Sequence, residues 1–408
     1  MRPINGVRTR ILSTVRRLPS ETVPYQDSVG RILAEPVVAP HDVPSFANSA
    51  MDGFAVRAAD VSSPGAVLQI LEDLPAGQVA LASVGDGQAI KIMTGAPMPG
   101  GADTVVRVEV TEEGDGKVRI ETAVEKGTSV RPPGGDMAAG ATVFQAGTRL
   151  TAPHVGALAT IGVVEPVVSR RPRVAVMSTG DELVGAETVE LQPGLIRDSN
   201  RPMLLTLVAE AGAEPLDMGR VPDDAASLRA ALGQAAAEAD AIVTSGGVSM
   251  GEYDVTKLVL RDEADVDFFP VAMKPGKPQG FGTVGGIPFF GLPGNPVSVL
   301  VSFEQFVRPA LLTMQGARAI LRPRVMGVAG HDLFSDPAKE EFIRVGFVDD
   351  GPPPRVAQIG GGGSHVLSGA ANADAFAVLP VDVEGVAEGD PVIVELFRAL
   401  ETRAAENV

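Results

Sequence analysis

Apolar positions along the chain change rhythm several times, and each change predicts a different architecture. In the first eighteen residues Ile4, Val7, Ile11, Leu12, Val15 and Leu18 recur at helical spacing, which predicts an amphipathic helix. A short second helix is predicted near Ser28–Leu33. From about 41 to 130 the apolar residues come in brief runs between Gly and Pro. Val67–Leu71, Ala89–Met93, Thr104–Val110 and Val118–Thr122 read as strands. Residues 131–168 carry a Gly/Pro turn, a strand pair and a helix near Ala152–Ile161. The basic, Pro-containing joint SRRPR at 169–173 has the character of a domain boundary.

From Val174 to about Gly316 strand and helix patterns alternate. RVAVMST is a buried strand. SNRPMLLTLVAEAG is a helix with Ser199 or Asn200 as its cap and Gly212 beyond its end. EPLDMGRV is a strand, and DDAASLRAALGQAAAEA is a helix opened by two Asp at its positive end. DAIVTSGG is a strand running into glycine, EYDVTKLVLRDEA a helix and VDFFPVAM a strand. NPVSVLVSFEQFVRPALL is a long helix capped by Asn295 with Pro296 in its first turn. Such alternation predicts a doubly wound α/β domain with a mainly parallel sheet. Beyond about 319, short β segments and Gly turns predict a small barrel or sandwich. The expected division is therefore 1–40 with 131–168, an inserted β-rich domain at 41–130, an α/β domain at 169–318 and a β domain at 319–408.

Composition narrows the function classes. At about 100–200 residues per domain, 408 residues make two to four domains. The net charge of −17 opposes a protein that coats nucleic acid. Aromatics at 4% with no Trp leave few candidate side chains for a platform on which bases could stack. Zero Cys removes disulfides, thiolate metal sites and Cys nucleophiles together. The four His are not at metal-ligand spacing. No run approaches the length of a membrane span, and the expected setting is the cytoplasm.

Candidate chemistry gathers where a parallel α/β sheet binds ligands, at the carboxyl ends of its strands. MSTGDEL (177–183) ends a buried strand and delivers Asp181 and Glu182. TSGGVSMGEYD (244–254) joins a strand to a helix through Ser245, Gly246 and Gly247 and carries Asp254. Its backbone N–H groups and glycines suit an anion cradle. MKPGKP (273–278) holds Lys274 and Lys277 in a stiff turn closed by Pro278. Singly, each motif is as well explained by a helix cap, a tight turn or solvated lysines. Their coincidence at one sheet edge points to a phosphate-containing ligand, a divalent metal and phosphoanhydride chemistry. NSAMDGFAV (48–56) adds Asp52, MTGAPMPGGAD (93–103) adds Thr94, and RPPGGD (131–136) adds Asp136. EFIRV (341–345) offers Arg344, and GGGGSH (360–365) offers Ser364 and His365, the histidine reading as structural.

Taken together, SAMDGFAV, MTGAPMPGGAD, STGDEL, RDSN, SGGVSMGEYD, MKPGKP, GLPGNPVS, EFIRV and GSH resemble the molybdopterin molybdenumtransferases, the MoeA family that includes the gephyrin E domain. The motifs stand in family order across nearly the whole chain. Ala47 and Gly135 depart from the residues usual in the family. The resemblance implies an elongated homodimer of four-domain subunits, with a central α/β molybdopterin-binding-like domain and a C-terminal small β-barrel. It implies that molybdate is inserted into adenylylated molybdopterin with Mg²⁺-assisted release of AMP. On that reading Lys274, Lys277, Arg344 and Ser364 hold the oxyanion, with Pro278 beside them. Ser245, Gly246 and Gly247 cradle phosphate. Glu182, Asp223 and Asp254 organise Mg²⁺ and the pyrophosphate, Glu182 and Asp254 as the expected ligands. Asp52, Thr94 and Asp136 face the same cleft. The molybdopterin adenylyltransferase of the pathway is an expected partner. Two other readings compete: an ATP-dependent adenylylation of molybdopterin, and a pterin-binding scaffold without turnover. Tungstate in place of molybdate is not separable by sequence.

Overall fold

The computed structural model describes residues 1–247, 259–260, 264–349 and 351–397. At its centre lies a six-stranded sheet. Its strands are β1 (Arg173–Thr179), β2 (Glu214–Val221), β3 (Ala241–Ser245), β4 (Asp265–Pro270), β5 (Pro278–Val284) and β6 (Ile287–Leu292), in the spatial order β2-β1-β3-β6-β5-β4. Strands β2, β1, β3 and β6 are mutually parallel, whereas β5 runs antiparallel to β6 and β4 antiparallel to β5. The reversal has a consequence for the site. The start of β5 lies at the same edge as the ends of β1, β3 and β6, so the lysine turn and the glycine loops share that edge.

Alternation along β1 sorts its side chains to two faces, as strand geometry requires. Val174 and Val176 pack with Leu204, Leu207 and Val208 of helix Asn200–Glu210 and with the long helix after β6. Ala175 and Met177 pack with Leu228 and Leu232 of helix Ala225–Glu238. The first helix, Ile4–Thr14, buries Ile4, Val7 and Ile11 in the same cluster as Val174 and Phe303. Residues around Leu33, Val37, Leu150 and Leu158 form a separate core.

The helix after β6 runs from Pro296 to Met314. By length and composition it could cross a membrane, but 89% of that stretch is buried inside the protein. A π-helical turn at Phe303–Val307 interrupts it and buries Glu304 and Gln305. Arg322 donates to both Glu304 oxygens at 2.8 and 2.9 Å, and Arg308 lies 3.9 Å away. Gln305 donates to Glu395 at 2.5 Å and accepts from Arg8 at 2.6 Å. One turn of helix thereby ties the first helix and the C-terminal region to the central sheet.

Residues 53–120 form a second six-stranded sheet, with Gly53–Val56 flanked by Gln88–Ile92 and Thr104–Arg107. The C-terminal region closes into a small barrel. Glu340–Phe347, Arg355–Gln358, Arg324–Ala329, Pro391–Leu396 and Ala375–Leu379 pair in turn, and the last pairs back to the first. Closure leaves no unpaired edge inside that circuit.

Several local expectations are corrected. No helix forms near Ser28–Leu33. A single 3₁₀ turn at Tyr25–Asp27 comes first, and the chain then reverses at Gly30 (φ +79°). The N–H groups of Gly30 and Leu33 go to Leu150 and Thr148, so strand-like pairing displaces the helix. The strand predicted at Thr104–Val110 stops at Arg107, and Val108–Val110 is a 3₁₀ turn. VDFFPVAM is two strands, β4 and Met273–Lys274. The second leaves the central sheet and pairs in parallel with Glu340–Glu341 of the barrel. Of the two Asp expected to open helix Ala225–Glu238, Asp224 is the cap, accepting from the N–H groups of Ala226 and Ser227.

Candidate functional site

The parallel register sets Ser178 beside Ser245 and Ser245 beside Leu292, so three strands end at one level. Beyond each end the chain turns into a polar loop. After β3 the loop depends on glycine. Gly246 has φ +92°, and a Cβ there would stand 2.5 Å from the Thr179 carbonyl oxygen. The Gly246 N–H donates to Leu292 O at 3.1 Å. The Gly247 N–H has no acceptor among the described residues and remains available to a ligand. Asp254 lies outside the described residues.

After β1, Asp181 and Glu182 are exposed. The Asp181 carboxylate accepts from the Asp223 N–H at 3.1 Å, which draws the loop before helix Ala225–Glu238 to this edge. Glu182 is exposed on the loop after β1, and Asp223 is tied to that loop through Asp181.

The RDSN motif does more than start a helix. Asp198 is 5% exposed. It accepts from Ser178 Oγ at 2.6 Å and from the Arg201 N–H at 3.1 Å, and Arg201 in turn pairs with Asp217. Asn200 Nδ2 donates to Ser245 Oγ at 2.7 Å and to Gly294 O at 2.6 Å. The motif thus clamps the ends of β1, β3 and β6 together. Sequence pattern assigns Asp198 no role and offers Ser199 or Asn200 as the cap, and Ser199 takes that position. Its available signal was a polar run placed between a strand end and an apolar helix, which reads equally as an N-terminus.

The lysine turn is held from both sides. Gly276 has φ +102°, and a Cβ would meet Met273 Cε at 2.9 Å and Ser302 Oγ at 3.0 Å. Buried Gln279, also missed in the sequence, donates to Gly276 O at 2.7 Å and Ser302 Oγ at 2.6 Å. Lys274 pairs with Glu341 of the barrel at 2.8 Å, and the same Glu341 accepts from the Asp336 N–H. Lys277 is exposed, and Pro278 opens β5 beside it. The barrel thereby supplies one wall of the turn.

Arg344 is 4% exposed, and its guanidinium donates to the carbonyls of Gly361, Gly363 and Val366. Burial holds its pKa below the usual arginine value. Here it shapes the glycine loop that carries Ser364. That loop rests on the long helix, because Ser364 O accepts from the Val297 N–H and Ser364 Oγ accepts from Asn295 Nδ2 at 2.9 Å.

Asp52, Thr94 and Asp136 form a second group. Asp52 Oδ1 accepts from the Thr94 N–H and the Thr94 hydroxyl, both at 2.7 Å, and these bonds hold its pKa below the ordinary carboxylate value. Asn48–Ser49 pairs with Val130–Arg131, and Gly134 and Asp136 donate to Pro44 and Val43, which brings the loop of Asp136 to the same region. Among the described residues, no hydrogen bond or ion pair joins 41–136 to 169–397. The apolar clusters beneath this group contain nothing beyond residue 168. The described residues thus form two assembled polar groups with no bond between them.

Comparison with known proteins shows which family the chain matches. Residues 2–162 match the MoeA N-terminal region (domain I and II), 175–313 a probable molybdopterin binding domain, and 327–397 the MoeA C-terminal region (domain IV). A curated Mycobacterium tuberculosis protein named molybdopterin molybdenumtransferase 2 is 40% identical over 95% of this chain and 98% of its own length. The molybdopterin molybdenumtransferase of Haemophilus influenzae is 36% identical over 98% of this chain and 100% of its own. Among solved structures, a molybdopterin biosynthesis moeA protein from Pyrococcus horikoshii superposes with a TM-score of 0.86 at 30% identity, covering 97% of this chain and 100% of that one.

Proposed function

The chain belongs to the MoeA family of molybdenum cofactor biosynthesis transferases, and from that premise we propose that it inserts molybdate into adenylylated molybdopterin with release of AMP. The observation that carries this reading is the shared edge, where a glycine loop with an available N–H, two lysines and exposed carboxylates surround the strand ends.

In this reading Ser245 and the Gly247 N–H hold phosphate, and Lys274, Lys277 and the Ser364 hydroxyl hold molybdate. Molybdate is a small dianion, for which two ammonium point charges are a suitable pair. Arg344 acts by holding the loop of Ser364. Asp223 and Asp181 border the pyrophosphate. Water attacks the adenylyl phosphorus, the P–O–P bond breaks, AMP leaves with the water oxygen and the pterin keeps its own phosphate. The two pterin thiols then bond to molybdenum as one oxo group of molybdate departs as water with the two thiol protons.

The donor set fits a Mg²⁺ ion held chiefly by substrate. Among the described residues no group of three or more His, Asp or Glu comes together. Mg²⁺ commonly takes one or two carboxylates and completes its shell with phosphate oxygens and water. Glu182 and Asp254 are the residues proposed to hold it. When bound it would offset negative charge developing on the pyrophosphate.

We further read the active form as a homodimer in which Asp52, Thr94 and Asp136 of one subunit complete the edge of the other. The lack of any bond between the two groups among the described residues of one chain supports this. The cytoplasm is the proposed setting, with the adenylyltransferase of the pathway as the source of substrate. Purified protein given adenylylated molybdopterin, molybdate and Mg²⁺ should release AMP, and omitting any one should abolish release. Release that ignores molybdate would reject insertion. ATP-dependent adenylylation of free molybdopterin would favour the competing enzyme reading.

A further inference from the structure

Asn200 has an unused atom in a place where one is costly. Its Nδ2 donates to Gly294 O and Ser245 Oγ. The Gly294 carbonyl can only accept, so the amide nitrogen must face it and the orientation of the side chain is settled. Both N–H bonds are then spent, and Oδ1 is buried without a hydrogen-bond partner among the described residues. Thr179 Oγ1 is likewise buried and unpartnered, on the adjoining strand end, where a Cβ on Gly246 would lie 3.0 Å from it. Buried polar atoms in folded proteins are nearly always paired, so two orphans at one ligand-binding edge call for an explanation.

Ser245 adds a direction. Its Oγ accepts from Asn200, so its own hydrogen is left to donate elsewhere. The edge therefore presents a hydroxyl donor and a carbonyl acceptor bridged by one amide. Molybdate, fully deprotonated at neutral pH, could satisfy the hydroxyl but brings no donor for the carbonyl. A phosphorylated heterocycle that carries ring N–H groups satisfies both.

We propose that Asn200 is a substrate-recognition residue, whose Oδ1 accepts from an N–H of the pterin while its Nδ2 presets the Ser245 hydroxyl to donate to a substrate phosphate. This rests on the function proposed above and names the residue that distinguishes a pterin phosphate from a bare anion. Asn295 and Ser364 repeat the donor half of the arrangement on the barrel loop, where Asn295 Nδ2 donates to Ser364 Oγ.

The test is a double-mutant cycle on the full chain with Asn200→Ala, Ser245→Ala and the double variant. Each is titrated with molybdopterin and, separately, with sulfate, a tetrahedral dianion that carries no O–H at neutral pH. Asn200→Ala should weaken molybdopterin binding about tenfold or more, and should do so again in the Ser245→Ala background. In that background sulfate binding should not respond to Asn200→Ala. Molybdopterin affinity that is unchanged between Ser245→Ala and the double variant would overturn the acceptor role, since Asn200 would then act wholly through Ser245. If Asn200→Ala fails to fold, the wild type decides. A pterin phosphate should bind about tenfold better than its ring-N-methylated derivative, and equal affinity would overturn the proposal. Failure of the wild type to bind any pterin would instead reject the proposed function, and this inference with it.

Discussion

An Asp52→Ala subunit combined with a Lys274→Ala/Lys277→Ala subunit should recover about half of the wild-type AMP release, by counting intact sites in a two-fold dimer. Each parent homodimer should be nearly inactive. Removing two charge-assisted contacts costs on the order of 1.5–3 kcal/mol apiece, which is tenfold or more for each lysine. Asp52 is anchored by Thr94 through two bonds of 2.7 Å, so the Ala substitution removes a fixed, ionised group without cutting into the core. In the mixed dimer one cleft carries both lesions and the other carries none. A cleft built within one chain would put a lesion in each site, and nothing would be recovered. Co-expression with two tags, tandem purification and an AMP assay separate the outcomes. A verified heterodimer without recovery rejects the shared cleft and leaves the family assignment intact.

The largest stability loss is expected away from the site, at Glu304. Its side chain is 1% exposed and faces Arg322 in a two-pronged pair, with Arg308 beside it. Burial and the neighbouring Arg322 already lower Arg308 to about 10. Glu304→Ala would leave two buried guanidinium groups without their carboxylate. Breaking a buried pair from one side costs about 3–5 kcal/mol. Urea unfolding should show this as a lower midpoint at unchanged slope. Replacing Glu304, Arg308 and Arg322 together by Leu or Met should cost much less, because no buried charge is then left alone. A Glu304→Ala protein within about 1 kcal/mol of wild type would mean that water reaches the site and the arginines are not truly desolvated.

The network around Glu304 also shows where a linear reading stops. Nothing in FEQFV distinguishes Glu304 from a solvated helix residue, because its burial comes from a π turn and from Arg322, eighteen residues on. Arg344 is a similar case. Its charge was visible in EFIRV, but its donors are occupied by the carbonyls of Gly361, Gly363 and Val366, which a motif cannot announce.

Local pattern did carry much of the architecture. Helix Asn200–Glu210, helix Ala225–Glu238 and strands β1 to β3 follow from apolar periodicity and capping residues, which act within a few positions of themselves. The convergence of the STGDEL, SGGV and KPGKP loops was legible for the same reason, since strand direction alone sends them to one edge. Pairing partners were not. Met273 reads as the tail of a strand in the central sheet and Lys274 as part of a turn, yet the two pair as a strand with the barrel, because a two-residue extended segment carries no record of its neighbour. The segment near Ser28–Leu33 has helical spacing, yet its N–H groups find acceptors at Thr148 and Leu150, over a hundred residues away. Asn200 sits on the same divide. Its position at a helix start could be read from adjacent residues, whereas the unpaired oxygen that gives it a role exists only once Ser245 and Gly294 have been folded against it. Propensity and periodicity are short-range energies and survive in a one-dimensional reading, while hydrogen-bond satisfaction is settled between segments distant in the chain.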